Sequence, residues 1–378
     1  MNRKLQAEFV IVGAGLAGAA VAEQLTKAGH RDLLVIEQES EAGWHGSGQN
    51  AGMLRQHASN PFTAALARRG LHLHRSLRDR LPAAPPLLAT GSVLVGGQGP
   101  ELAAGYRAGH TERLPAARFE ELTGMQLPAQ SRALYCPDDG LREAKALCHH
   151  LLEHSAATLQ MEARVEGLHH QGGRVRGLVL EDGRSIEAER VILCGGAWSR
   201  DLLDLPLQPF KRHLFVLSQR QKRTSMPWVW DLDGEVYFRG HEEGLLVSAC
   251  DDIPESPRRG EQPACGPEGL ARLHRALHER WPQLAAPRLV RSWAGLRVLS
   301  PDDAFILGPD PRFTGLAWCT GLGGHGLTCA LSAAALALRP WLGDQVDVGN
   351  DPQGPDLNTL QQAHSLERLP FTKEIWDA

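Results

Sequence analysis

The stretch from Phe9 to Glu37 constrains this chain more than any other. Phe9-Val10-Ile11-Val12 is an apolar run of the kind that forms a buried strand. Gly13-Ala14-Gly15-Leu16-Ala17-Gly18 follows at once, and Ala19 to Ala28 reads as a helix that stops at Gly29. Leu33 to Ile36 forms a second strand, ending at Glu37. Gly13 makes a tight turn, Gly15 lets a pyrophosphate approach the backbone, and Gly18 lets helix and strand pack closely. The helix N-terminus supplies free N–H groups and positive partial charge. Glu37 lies about 20 residues past the last glycine, where a carboxylate binds ribose hydroxyls and disfavours a 2′-phosphate. The stretch predicts an α/β fold built on a Rossmann-type dinucleotide site.

Later segments favour FAD over NAD. An NAD domain would continue into another βα unit. Here the loop Glu41 to Arg55 is rich in glycine and small polar residues, and a helix from Pro61 to Leu81 follows. Such a loop can lay amides and hydroxyls along a longer cofactor. A helix is predicted over Leu141 to Leu159 and a strand over Met161 to Leu168. Gly172-Gly173 and Asp182-Gly183 then mark turns around strands at Arg174 to Leu180 and Ser185 to Glu189. This excursion ends in the buried strand that enters Gly195-Gly196-Ala197-Trp198. A second glycine loop, Thr320 to Thr328, precedes the apolar run Cys329 to Leu342.

The 378 residues suggest about two domains, and the net charge of −4 argues against nucleic acid as a partner. Seven cysteines without a CxxC pair argue for a reducing compartment and against a disulfide framework or a zinc site, so no metal is expected. Met1 to Glu8 is polar and does not read as a signal peptide, and no run of about 18 apolar residues exists. The expected location is cytoplasmic, with peripheral membrane contact left open.

Four segments together resemble the D-amino-acid oxidase superfamily of FAD flavoproteins, which includes glycine oxidase, sarcosine oxidase and D-amino-acid dehydrogenases. They are VIVGAGLAGAAVAEQL, HGSGQNAGM, VILCGGAWS, and WAGLRVLSPDDAFILGPDP followed by TGLGGHGLT. QPFKRHLF, EVYFRG and RSWAGLR are similar to the D-arginine-dehydrogenase-like subgroup. The resemblance implies a Rossmann-type, glutathione-reductase-like FAD domain over 1–81, 139–205 and 293–343. A discontinuous α+β substrate domain with a mostly antiparallel sheet would take 82–138 and 206–292, and 344–378 would be an extension. It implies cofactor contacts from Gly13, Ala14, Gly15, Leu16, Ala17, Gly18, Glu37 and Gln38 at the adenosine and pyrophosphate end. His45, Gly46, Ser47, Gln49, Asn50, Ala51, Gly52, Met53, Val165, Gly195, Gly196 and Trp198 would line the middle. Arg297, Gly321, Gly323, Gly324, His325, Gly326, Leu327 and Thr328 would lie at the flavin, where the amides of Gly323, Gly324 and Gly326 would stabilise negative charge on the reduced ring.

The implied reaction moves a hydride from the α carbon of an amino acid to flavin N5, giving an imino acid. Arg297 matches the family's carboxylate-binding position, with Arg212 and Tyr237 as secondary contacts; a guanidinium suits a carboxylate because two parallel hydrogen bonds join them. His45 matches a histidine near the substrate that could help take the ammonium proton. Gln49 stands where related loops often carry arginine. Leu246 stands where sarcosine-oxidase-like members carry a lysine, which leans toward a dehydrogenase. Leu296 to Leu299 offers no cysteine, so the FAD is expected to be non-covalent. The subgroup's arginine-specific acid aligns near Ser92, so a cationic side chain is not implied. Pro82 to Pro86 and Asp251 to Pro267 read as exposed loops, the latter able to cover the substrate entrance. The expectation is a D-amino-acid dehydrogenase passing electrons to a quinone, an electron-transfer protein or oxygen. A glycine- or sarcosine-type oxidase, a 2-hydroxy-acid dehydrogenase and a flavoprotein subunit of a larger complex are the alternatives.

Overall fold

β1 (Leu5–Val12) starts four residues before the apolar run, because parallel pairing with Ser185–Leu193 already begins at Leu5. α1 (Leu16–Lys27) starts inside the glycine loop, and β2 (Leu33–Ile36) follows. The computed structural model describes residues 5–97, 106, 110–218, 224–285 and 287–369, so positions 370–378 of the expected extension lie outside the described residues.

β1 sits at the centre of an eight-stranded sheet, parallel to β2 on one side and to Ser185–Leu193 on the other. Ala157–Gln160 and Leu316–Thr320 extend the sheet in parallel, and Ile306–Pro309 closes one edge antiparallel. A parallel sheet needs cover on both faces. α1, α2 (Pro61–Arg80), Ala144–Glu153 and Gly326–Leu342 cover one face, around Phe9, Ile11 and Val35. The alternate residues Val10, Val12, Leu34 and Ile36 pack on the other face, under the arm Val165–Gln171 and Arg174–Leu180.

The helix predicted over 141–159 is shorter. It spans Ala144–Glu153, and Ala157–Gln160 is instead the edge strand paired with β2. The strand predicted from Met161 begins at Val165. Pairing with β2 decides these residues, and tertiary pairing of this kind overrides local helical pattern.

The second sheet has nine strands, antiparallel except where Trp228–Asp231 pairs with Ser92–Gly96. Its strands come from 92–136 and 208–299. Strand Leu289–Leu299 pairs with Gln208–Leu217 over its length, so it belongs to this sheet and a domain boundary at 293 would cut it. Period-two alternation divides the sheet's faces. Phe215, Val229, Phe238 and Val247 pack under helix Pro267–Arg280 with Leu273, Leu277 and Trp281. Their neighbours Leu214, Trp230 and Tyr237 face the first sheet's cleft.

A Cβ on Gly18 would lie 1.9 Å from the Gly13 carbonyl oxygen, and backbone cannot yield there as a flexible side chain could. Gly18→Ala is therefore expected to cost about 1–3 kcal/mol as overpacking. Thermal unfolding and the FAD content of the purified protein check this; an unchanged melting temperature with full FAD content would refute the packing role.

Candidate active site

In a parallel sheet every strand's carboxyl end lies on one edge, and ligands bind there. β1 delivers Gly13 to this edge, β2 delivers Glu37, Ser185–Leu193 delivers Gly195 and Gly196, and Leu316–Thr320 delivers Gly321. The face of the second sheet that carries Arg212, Trp230, Tyr237 and Arg297 lies opposite. Between them runs one continuous cleft of about 470 Å³.

The donor set at one end of the cleft suits a dinucleotide. Gly15 caps α1 with no side-chain hydrogen bond, and no acidic residue occupies the first turn. Ser47 Oγ accepts from Leu16 N–H at 2.9 Å. Glu37 Oε2 accepts from Ala14 N–H at 2.7 Å and Oε1 from Glu39 N–H at 3.0 Å, which fixes the carboxylate at the cleft wall. Burial raises its pKa, against these two hydrogen bonds. Trp44 Nε1 and His45 Nδ1 are buried polar atoms that line the cleft without a hydrogen-bond partner among the described residues. Unsatisfied buried groups of this kind fit a polar ligand, and the residues present fit FAD.

The second glycine loop stands at the far end. The N–H groups of Gly324 and Gly326 have no partner among the described residues, and His325 caps helix Gly326–Leu342 without a side-chain bond. The expectation for Gly323 is corrected: its N–H donates to Val298 O at 3.0 Å and is already used. Gly324 has φ +81°, and a Cβ there would lie 2.2 Å from Arg297 Nη2.

Arg297 and Arg212 share one acid, Asp252, to which sequence reading gave no role. Asp252 accepts from Arg212 Nη2 (2.8 Å) and Arg297 Nη1 (3.2 Å). Arg212 also donates to the carbonyls of Cys250 and Asp251, and Arg297 to the carbonyl of Gly323 at 2.8 Å. Burial, then the Arg212 charge, lowers the Arg297 pKa. Cys250 has φ +49°, and Asp251 is buried against His213 (2.6 Å), so the turn that carries Asp252 is held from behind. Tyr237 is buried beside Leu214 and Leu246, and its pKa is raised by burial.

Among the expected site residues, all but four line the cleft. Ala14 and Gly18 support the first loop from behind. His325 and Thr328 sit behind Arg55, a residue that sequence reading left without a role: Thr328 Oγ1 accepts from its backbone N–H and His325 Nδ1 faces its guanidinium at 3.4 Å. His45 lines the cleft. Its Nε2 donates to Glu39 at 2.9 Å and its ring lies 4.5 Å from that of Trp198. Ser92 is bonded to the buried Asp139 at 2.7 Å, so an acid does stand next to this position in space. The loop Asp251 to Pro267 crosses to the adenosine end: Arg259 donates to Gln38 O, Gly260 N–H to Glu39, and Gln262 to Trp44 O. His150, Glu153 and His154 gather away from the cleft. No helix of the described residues is long and apolar enough to cross a membrane.

Residues 8–339 match the family model described as DAO, FAD dependent oxidoreductase. The chain is 27% identical over 365 residues to a glycine oxidase of Pseudomonas aeruginosa, covering 92% of this chain and 98% of that one. Its fold is similar to that of L-proline dehydrogenase from P. horikoshii, with a TM-score of 0.80, 18% identity and coverage of 90% and 95%. It is similar too to that of glycine oxidase from Geobacillus kaustophilus, with a TM-score of 0.76, 23% identity and coverage of 97% and 100%. With a Rossmann-type cleft, two glycine loops aimed into it and a family match over most of its length, the chain belongs to the DAO family of FAD-dependent oxidoreductases.

Proposed function

We propose that this protein oxidises a D-amino acid at the carbon bearing the amine, giving an imino acid, and acts as a dehydrogenase. The observation that carries the reading is the arginine pair, Arg212 and Arg297, set beside Tyr237 and against the second glycine loop. When bound, FAD supplies the two-electron acceptor for the hydride. Arg297 and Arg212 hold the substrate carboxylate through the N–H groups not committed to Asp252, and Tyr237 narrows the pocket. Gly324 and Gly326 direct N–H dipoles to where negative charge develops, a use of preorganised donors. FAD is held without a covalent bond. Leu246 in place of a lysine supports a dehydrogenase. The relative from Pseudomonas aeruginosa, a glycine oxidase by name, favours a second reading, an oxidase of glycine or a secondary amine using oxygen.

His325 does not line the cleft, and both of its ring nitrogens are engaged. Burial, then the charges of Arg55 and Arg297, holds its pKa well below 6.5, so it is neutral through the working range. Arg55 can only donate, so Nδ1 accepts from it and Nε2–H donates to the His57 carbonyl at 3.3 Å.

Three outcomes are expected. Anaerobic titration of the yellow protein with D- and L-amino acids, sarcosine and 2-hydroxy acids should bleach the flavin band at about 450 nm with D-amino acids alone. Bleaching by 2-hydroxy acids or sarcosine instead would overturn the reading, and oxygen consumption with peroxide release would select the oxidase. Gly324→Val should push Arg297 out of place, raise KM and lower the flavin midpoint potential; both unchanged would count against the loop's role. His325→Gln should lower kcat/KM without moving the acid limb of its pH profile, because a histidine with a depressed pKa has already lost its proton there. A displaced limb would restore His325 as a titrating group.

A further inference from the structure

Beside Arg212 and Arg297 the cleft holds another guanidinium that the reaction above does not use, that of Arg55. Arg55 ends the loop Glu41 to Arg55, lines the cleft and is only 8% exposed. Its Nη1 donates to the His57 carbonyl (3.5 Å) and its Nη2 to neutral His325 (3.4 Å). Its guanidinium lies 4.6 Å from the centre of the Trp230 ring. None of these partners is an anion. Burial, then the charges of Arg297 and Arg212, lowers its pKa to about 10, so it stays a cation near neutral pH. Cys250 and Tyr106 also face it, and burial raises both of their pKa values, which keeps them neutral. The nearby acid Asp139 is committed to Ser92, Tyr106 and Gln56.

Arg55 thus joins Arg212 and Arg297 in one group of mutually repelling cations, and the carboxylate bonded within that group is Asp252, shared by Arg212 and Arg297. Asp251 also acts on Arg212 and Asp303 on Arg297, but no acid is bonded to Arg55 among the described residues. Burying a charge without a counter-charge is unfavourable, and a bound anion removes that cost. A substrate with one carboxylate, held by Arg212 and Arg297, would leave Arg55 uncompensated. We infer that Arg55 anchors a second anionic group of the substrate, so that the preferred substrate is an amino dicarboxylate. Trp230 backs the guanidinium and fixes its plane, which suits bidentate recognition of a carboxylate. The inference rests on the reading of Arg297 and Arg212 as the first carboxylate site.

The test uses the FAD-loaded full chain and acids that cannot be oxidised. Acetate and propionate are compared with succinate and glutarate, and binding is read from the perturbed flavin spectrum. A hydrogen bond to a charged group corresponds to about 10–100-fold in affinity. The diacids are expected to bind more tightly than the monoacids by about tenfold or more. Arg55→Gln should bring that ratio close to one, and Arg55→Lys should restore part of it. Equal binding of mono- and diacids by the wild type overturns the inference. A ratio that survives in Arg55→Gln does so too, and if the flavin midpoint potential then falls, Arg55 serves the flavin instead. The wild-type comparison stands even where Arg55→Gln does not fold. Anaerobic reduction by D-aspartate and D-glutamate against D-alanine and glycine separates the two readings. Tight diacid binding with no reduction by any amine would refute the proposed reaction and leave the second anion site standing. Reduction by monoacids alone would refute the second site and leave the reaction.

Discussion

β1 is hydrogen-bonded on both sides to parallel strands, and this one arrangement places everything else in the cleft. Parallel strands share a direction, so the loops after β1, β2, Ser185–Leu193 and Leu316–Thr320 all emerge on the same edge. Segments as far apart as Gly13 and Gly321 become neighbours without any direct sequence relation. The close approach of Gly18 to the Gly13 carbonyl then seats α1 on the sheet and aims its N-terminus into the cleft. The second helix terminus, at Gly326, reaches the same cleft from the other end.

The opposite wall obeys a different rule. An antiparallel sheet alternates its side chains, so one face of the second sheet is a core under helix Pro267–Arg280 while the other carries Leu214, Trp230 and Tyr237 to the cleft. Arg212 and Gly295 face each other across two strands, and Arg297 follows two residues on. Arginine on such a face has to be paired or to meet a ligand. Asp252 does part of this, held by the strained turn at Cys250 and by the buried His213–Asp251 contact. The site is therefore strongly cationic before any substrate enters.

Much of this was legible in the residues. The glycine loop, the second strand and Glu37 belong to one local unit whose spacing is fixed by a single strand–turn–helix–strand, so periodicity suffices to read it. Thr320 to Thr328 was legible for the same reason. Ala157–Gln160 was not: its four residues continue a helical pattern, and β2 alone makes them a strand. Arg55 was also hidden, because an arginine after Met53-Leu54 looks like the end of a loop; His57 is its near neighbour in sequence, but Trp230 and His325, which also enclose it, arrive from distant parts of the chain. Asp252 stands in a Pro- and charge-rich stretch that reads as solvated surface. His45 keeps its place in the cleft, but its bond to Glu39 was not legible, since a loop motif gives a residue's position and not the direction of its ring.

The sequence by itself determined the cofactor-binding unit and the two glycine loops, because each rests on spacing within a few turns of chain; Arg212 and Arg297 were singled out only through the family resemblance. Only the tertiary structure decided which cations share one cleft, which acid offsets them and which histidine stands behind Arg55. Electrostatic balance is a property of distances between residues remote in sequence, and folding alone sets those distances.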